Sequence, residues 1–509
     1  MHNDYDLLPY ISMPIVYSQP ARLAALATLH GLAAPAAECA RVLELGCASG
    51  GNIIPLAARY PRARFLGLDI SQTHVEAGRR RIAVLGLRNI EIRREDVAAS
   101  SFAGDRFDYI LCHGVFSWVP RAVQDAIFRV CAQHLTDSGV AVISYNVLPG
   151  WHLRNVVRGI CLRHAGAEGS PHERVARARE ILDAVAGMAD AADPYGHVVR
   201  GEAARIARQP ASYILGEFLA SDNAPCTFGE FAARAAQFDL TWLCEGDLPS
   251  SAPETFAPKA AARIRAFAGD NEKAVQEYTD VFSGRTFRRS VVVRSTHAAQ
   301  RSQPSPDRLR GLHVASAIKP DPAGGGDRPP GFIDHRGGSI EVNHPAVHRA
   351  FTQLAERFPS TSSLSELTGR GSSADHEQRI SKAVFRLLTS GRALVSSVPL
   401  NCGGAGADFP RVWPLARAEA AAGQPWVTSP RHTSVILTQV LRVLMPWLDG
   451  KHDRESLAAL IASAHRAGTI ELGDVRGAPG APATDTPVEA LAVDHALRYL
   501  AVNALLLPD

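Results

Sequence analysis

Between residues 41 and 146, apolar runs recur at regular intervals. They are Val42, Leu43 and Leu45, then Arg64-Phe65-Leu66-Gly67-Leu68-Asp69, then Ile90 to Val97, Phe107 to Gly114 and Gly139 to Asn146. Short apolar runs bounded by turn formers predict strands buried on both faces. Between them lie stretches at helical spacing: 52–60, 73–85 behind a Ser71 cap, and 120–135 opening on Pro120. Strand and helix in alternation predict a parallel sheet with helices on both faces. Beyond Tyr145 the alternation stops. Residues 151–236 read as helical, with clear periods at 171–189 and 213–220. Strand patterns return at 238–245 and at 287–294, the latter rich in valine. These read as the sixth and seventh strands of the same sheet, which makes 151–236 an insertion within it.

The fold class is therefore α/β, a Rossmann-like seven-stranded sheet with a helical insertion. Its expected organisation is an N-terminal arm and helix over residues 1–40, with the helix at 19–30. A core of five strands covers 41–150, the insertion 151–236, and the return to the core 237–295. Residues 296–338, rich in Pro, Gly and Ser, read as a linker. A C-terminal domain, winged-helix-like or purely helical, fills 339–509. Its helices are expected at 345–358, 375–388, 434–448 and 487–507, with a loop at 473–486.

A chain of 509 residues supports two or three domains with proper cores. A net charge of +3 and no basic recognition helix argue against nucleic acid as partner. No apolar stretch is long enough to span a bilayer, so no membrane insertion is expected, and the polar, acidic start does not read as a secretory signal. Eight scattered cysteines without a Cys-x-x-Cys pair favour a reducing cytoplasm and no structural metal.

The candidate chemistry sits at the first strand's end, Glu44-Leu45-Gly46-Cys47-Ala48-Ser49-Gly50-Gly51-Asn52. Gly46 and Gly50 allow a tight turn and close approach of backbone to a ligand, and the following helix start faces that turn. Asp69 ends the second strand, where a carboxylate can accept from both hydroxyls of a ribose. Asp96 and His113 end the third and fourth strands and converge on the same edge. A dinucleotide fingerprint needs a second glycine at position 48, where Ala48 stands. Glu44 is poorly placed for a diphosphate but well suited to the ammonium of a methionine moiety.

The Glu-x-Gly-x-x-x-Gly pattern resembles motif I of class I S-adenosylmethionine-dependent methyltransferases. Tyr5-Asp6-x-x-Pro9-Tyr10, His113-Gly114-Val115-Phe116-Ser117-Trp118-Val119-Pro120, Ser144-Tyr145-Asn146-x-x-Pro149-Gly150-Trp151 and Gly284-Arg285-Thr286-Phe287-Arg288 narrow the resemblance. They resemble a branch with a methyltransferase regulatory domain that includes bacterial outer-membrane-protein lysine methyltransferases. The likeness is specific over about the first 295 residues and scattered beyond. It implies S-adenosylmethionine as cofactor, held by Glu44, Gly46, Cys47, Gly50, Asp69, Ile70, Asp96, Val97 and His113, with Asp96 at the adenine amino group. It implies a protein lysine as acceptor. The alternatives are a small-molecule N- or O-methyltransferase and a catalytically silent, cofactor-binding adaptor.

Methyl transfer from a sulfonium needs collinear geometry and a dry cleft more than it needs acid–base groups. A lysine acceptor must lose its proton, and an apolar channel near a cation favours that loss. Residues just after the fourth and fifth strands are the candidates. Tyr145 and His113 are expected as substrate-side groups, and Phe116, Trp118 and Trp151 as channel walls. His113 reads equally well as a structural histidine, and Trp118 as packing for the next helix. The extra domains suit a protein partner and admit a homodimer. Tyr5, Tyr10 and Tyr17 lie on an arm that could cover the cleft and exclude water.

Overall fold

The computed structural model describes residues 6, 8–102, 104–298, 300–322, 331–369, 371–472 and 487–508. Two compact units emerge: Met1–Ser12, Leu26–Ala57 and Pro61–Ser302 form the first, and Met13–Ala25, Ala58–Tyr60 and Gln303–Asp509 the second.

The first unit is built on seven strands: β1 (Arg41–Leu45), β2 (Arg64–Asp69), β3 (Ile90–Arg94), β4 (Phe107–Cys112), β5 (Leu135–Asn146), β6 (Leu240–Glu245) and β7 (Phe287–Arg294). Their order across the sheet is β3-β2-β1-β4-β5-β7-β6. β1 to β5 pair in parallel, whereas β7 runs antiparallel to β5 and β6. The expectation of a parallel sheet thus holds for β1 to β5 and fails at β7, which is inserted, reversed, between β5 and the edge strand β6. The core, including Leu43, Leu45, Ile110, Ile143 and Phe128, is closed to solvent. Ser71 caps the helix Gln72–Leu85 by accepting from His74 N, and Gly86 closes it in the left-handed conformation.

The stretch after β5 is helical, as the periodicity predicts: Gly150–Ala165, Pro171–Met188, Pro194–Ala207, Ala211–Phe218 and Phe228–Ala236. Val157, Val175, Ile214 and Phe218 give the first four their own buried core. Two more helices, Pro258–Ala268 and Glu272–Ser283, separate β6 from β7.

In the second unit His313–Ala315 pairs with both Ser362–Ser363 and Leu394–Ser396. The described part of the expected linker therefore contributes a central strand rather than a free connection. Its three residues are too short to show a period. Residues 323–330, the glycine-rich heart of that expectation, lie outside the described residues, as do Tyr5 and the whole loop expected at 473–486. The helix expected at 434–448 is corrected: Ser434–Ile436 is a strand paired with Trp426–Thr428, followed by the helix Gln439–Leu444. A second core forms around Leu441, Leu444, Leu457, Ile461 and Leu497. No helix among the described residues is long and apolar enough to cross a membrane.

Candidate functional site

The sheet order reverses between β1 and β4, and ligands of such sheets bind outside the carboxyl ends of the strands at that point. The turn after β1 is held there by its backbone: Gly46 N and Cys47 N both donate to Leu68 O, at 2.8 and 2.9 Å. Gly46 has φ +72°, and a Cβ on it would lie 2.3 Å from Val115 Cγ2. Gly50, at φ +76°, would place a Cβ 2.7 Å from Ile54 and 2.9 Å from Ile92. Both positions are closed to any side chain. Ala48 takes φ +48°, and its N–H donates to Asp69 Oδ2 at 2.7 Å while Ser71 N donates to Oδ1 at 2.9 Å. Asp69 thus joins the turns after β1 and β2. The Cys47 thiol faces the sheet, where a Cβ on Gly67 would meet it at 2.6 Å, so only its backbone faces the crevice turn.

Glu44 is 3% exposed and accepts from Asn52 Nδ2 at 2.6 Å through Oε1, while Oε2 has no partner among the described residues. Burial pushes its carboxyl up to about 8, against the Asn52 hydrogen bond and with help from the Asp69 charge. An orphaned carboxylate oxygen beside a turn whose Gly46 and Gly50 admit no side chain fits a cationic ligand that brings its own donors. Ile70 is 54% exposed next to Asp69. Asp96 is exposed and accepts from Ala98 N at 2.8 Å, and Val97 leans on the core.

Past β4, His113 is half-buried and sets its ring edge-on to Phe287, centroids 5.7 Å apart. The Arg289 guanidinium lies 5.4 Å from the same Phe287 ring. Burial first, and then the Arg289 charge, hold His113 down at about 4, so it is neutral at physiological pH. Trp118 is half-buried, edge-on to Trp151 at 5.8 Å. Three expectations need correction here. Tyr145 is 1% exposed, stacks on Phe231 at 4.1 Å and shares a hydrogen bond with Ser290 Oγ. Phe116 is wedged among Phe128, Tyr145 and Phe231, and Trp151 is fully buried under Arg154. All three are core side chains, which leaves His113 and Trp118 with Phe287 and Arg289 as the open acceptor-side groups.

The chain matches three family models: a methyltransferase domain over residues 42–139, a predicted methyltransferase regulatory domain over 210–294, and the C-terminal winged helix domain of PKMT over 408–505. An uncharacterized protein of Rickettsia prowazekii, RP028, is 33% identical over 45% of this chain and 93% of its own length. The chain belongs to the S-adenosylmethionine-dependent methyltransferases that carry this regulatory domain. A second Rickettsia prowazekii protein, RP789, also uncharacterized, is 27% identical over 93% of this methyltransferase and 87% of its own length. PKMT2 from Rickettsia typhi in complex with AdoHcy has the same fold, with TM-score 0.83 and 23% identity over 98% of this chain and 100% of that one.

Some contacts at this edge have no counterpart in the sequence pattern. Asn52 closes the motif after β1, but nothing in its position signals that its amide donates back to Glu44, eight residues earlier. Ser12 Oγ accepts from Gly51 N at 2.7 Å. The insertion reaches the acceptor side through its backbone: Ala224 N donates to Ser117 O, and Cys226 N to Asn146 O. Backbone contacts of this kind leave no mark on residue type.

Proposed function

We propose that this methyltransferase modifies lysine side chains of a protein. Bound S-adenosylmethionine supplies an electrophilic methyl on a sulfonium; the chain's own work is to hold, orient and dry. Glu44 Oε2 would take the cationic methionine end. Each Asp69 oxygen accepts one backbone N–H and keeps capacity for a second donor, as ribose hydroxyls require. Ile70 and Val97 would offer apolar surface to the adenine, and Asp96 an acceptor.

The observation that carries the lysine reading is the electrostatic character of the open acceptor-side groups. A neutral histidine, two aromatic rings and the Arg289 cation favour an amine without its proton, and aromatic faces suit the methylated cation that follows. The fold shared with PKMT2, including insertion and C-terminal unit, supports a protein partner. A trans-aconitate 2-methyltransferase of Methylobacterium nodulans, 34% identical over 23% of this chain, gives the small-molecule alternative its footing.

The deciding experiment is incubation with methyl-labelled S-adenosylmethionine and host lysate, followed by mass spectrometry. Label on lysines of a discrete protein is expected. Label confined to small molecules would overturn the lysine reading, and tight cofactor binding without any transfer would point to the adaptor. Calorimetry gives the cofactor reading its own test: binding of S-adenosylmethionine but not NAD, weakened at least about tenfold in Asp69→Ala.

A further inference from the structure

The N-terminal residues of the first unit are attached at both helix starts that flank the crevice. Ser12 Oγ accepts from Gly51 N at 2.7 Å, just ahead of the helix Ile53–Arg59. Asp6 Oδ1 accepts from Ser71 Oγ at 2.5 Å and from Thr73 N at 3.2 Å, at the start of the helix Gln72–Leu85. The Ser71 hydrogen bond is foremost in holding the Asp6 carboxyl below its ordinary range, so the anchor is charged. Ser71 is the same residue whose N–H orients Asp69.

Between these anchors the segment turns to the insertion. Leu8 packs against the buried cluster containing Val157, Ile214 and Phe218. The Tyr10 ring lies along the helix Ala211–Phe218, where a Cβ on Gly216 would be 3.6 Å away. Asp6, Leu8, Tyr10 and Ser12 therefore touch the turn after β1, the turn after β2 and the insertion's own core.

We propose that Asp6 and residues 8–12 act as a strap that retains the cofactor and couples its retention to the helical insertion. Asp6 and Ser12 are positioning residues that hold the two helix starts in the geometry Asp69 and Gly51 need. Leu8 and Tyr10 transmit the insertion's position to those anchors. The insertion also touches the acceptor turn, through Ala224 N to Ser117 O. Acceptor engagement and cofactor release are then linked through one short segment. The inference rests on the cofactor reading above.

The test uses the full chain and measures release of bound S-adenosylhomocysteine by stopped-flow displacement. Asp6→Ala is expected to speed release about tenfold, the loss of one charge-assisted anchor. Asp6→Asn keeps an acceptor oxygen and should fall between Ala and wild type. Tyr10→Ser lies at the far end of the strap and should also speed release, with the cofactor KM raised more than kcat is lowered. Wild-type release in both Asp6 variants would overturn the strap. Fast release in Asp6→Ala with wild-type release in Tyr10→Ser would overturn the coupling. A wild-type protein that binds no S-adenosylhomocysteine would overturn the cofactor reading itself, and the strap with it.

Discussion

Glu44 carries a charge question that the ligand must answer. Its carboxyl, at about 8, is mostly protonated at neutral pH in the ligand-free protein, and a cationic ligand selects the ionised form. Binding below pH 8 therefore releases a proton. The Kd for S-adenosylmethionine should fall by up to about tenfold per pH unit between roughly pH 6 and 8 and level off above. Calorimetry in buffers of different ionisation enthalpy reads this directly: up to one proton released near pH 7, none in Glu44→Gln. The stability of the ligand-free protein runs the other way. A raised folded pKa gives a contribution fully present below the unfolded value of 4.5 and lost as pH climbs through about 8.

Gly46→Ala should cost about 2 kcal/mol or more, from a left-handed backbone and a Cβ driven into Val115, as a urea midpoint would report. The sequence pattern places Glu44, Gly46 and Asp69 at the ends of β1 and β2, and the structure has them there, because a glycine and an acid at fixed offsets from an apolar run mark where a strand stops. Tyr145, Phe116 and Trp151 were not legible in this way. β5 is buried on both faces from Val140 to Asn146, so alternation gives no clue to which side of the sheet an aromatic ring takes.

At the scale of elements, the motif at 284–288 belongs to the seam between β6, β7 and the helix Glu272–Ser283. Arg288 is 1% exposed and donates through Nε to Asp280 Oδ2 and through Nη1 to Glu245 Oε1, both at 2.7 Å. Glu245 also accepts from Arg289 N and Ser290 Oγ. Arg285 sits 3.3 Å from Asp280, so two guanidiniums face two carboxylates. Arg288→Met leaves two buried carboxylates facing the single guanidinium of Arg285, takes Glu245's charged partner away, and should cost about 3–5 kcal/mol in denaturant unfolding. Arg288→Met combined with Asp280→Leu should cost less than the sum of the two single changes.

The same seam shows where element reading stops. Strands of five residues or more declared themselves by their apolar runs, yet nothing in a run gives its direction, so the reversal of β7 was invisible. Strands of two and three residues, such as Ser362–Ser363 and Ser434–Ile436, carry no period at all.

At the scale of the molecule, chain order and compactness disagree. The sequence pattern treats residues 1–40 as one appendage, but Met13–Ala25 group with Gln303–Asp509 while Met1–Ser12 stay with the sheet. Within the second unit Ser397 N donates to Ala21 O at 2.9 Å, and Ala21, Leu23 and Ala25 are fully buried. A cut through the linker region therefore severs the second unit from a piece of its own interior. Burying a leucine side chain contributes about 1.5–3 kcal/mol, a large share of the stability of an ordinary domain. A polypeptide of residues 303–509 should unfold at a lower temperature alone than with a synthetic peptide of residues 13–29. The same peptide with Leu23→Asp should give no gain, because the charge cannot enter the closed interior. Scanning calorimetry at several peptide concentrations would show the midpoint rising with the first peptide only, as binding to the folded state demands. Equal midpoints with and without the wild-type peptide would mean that the second unit is complete in its C-terminal half.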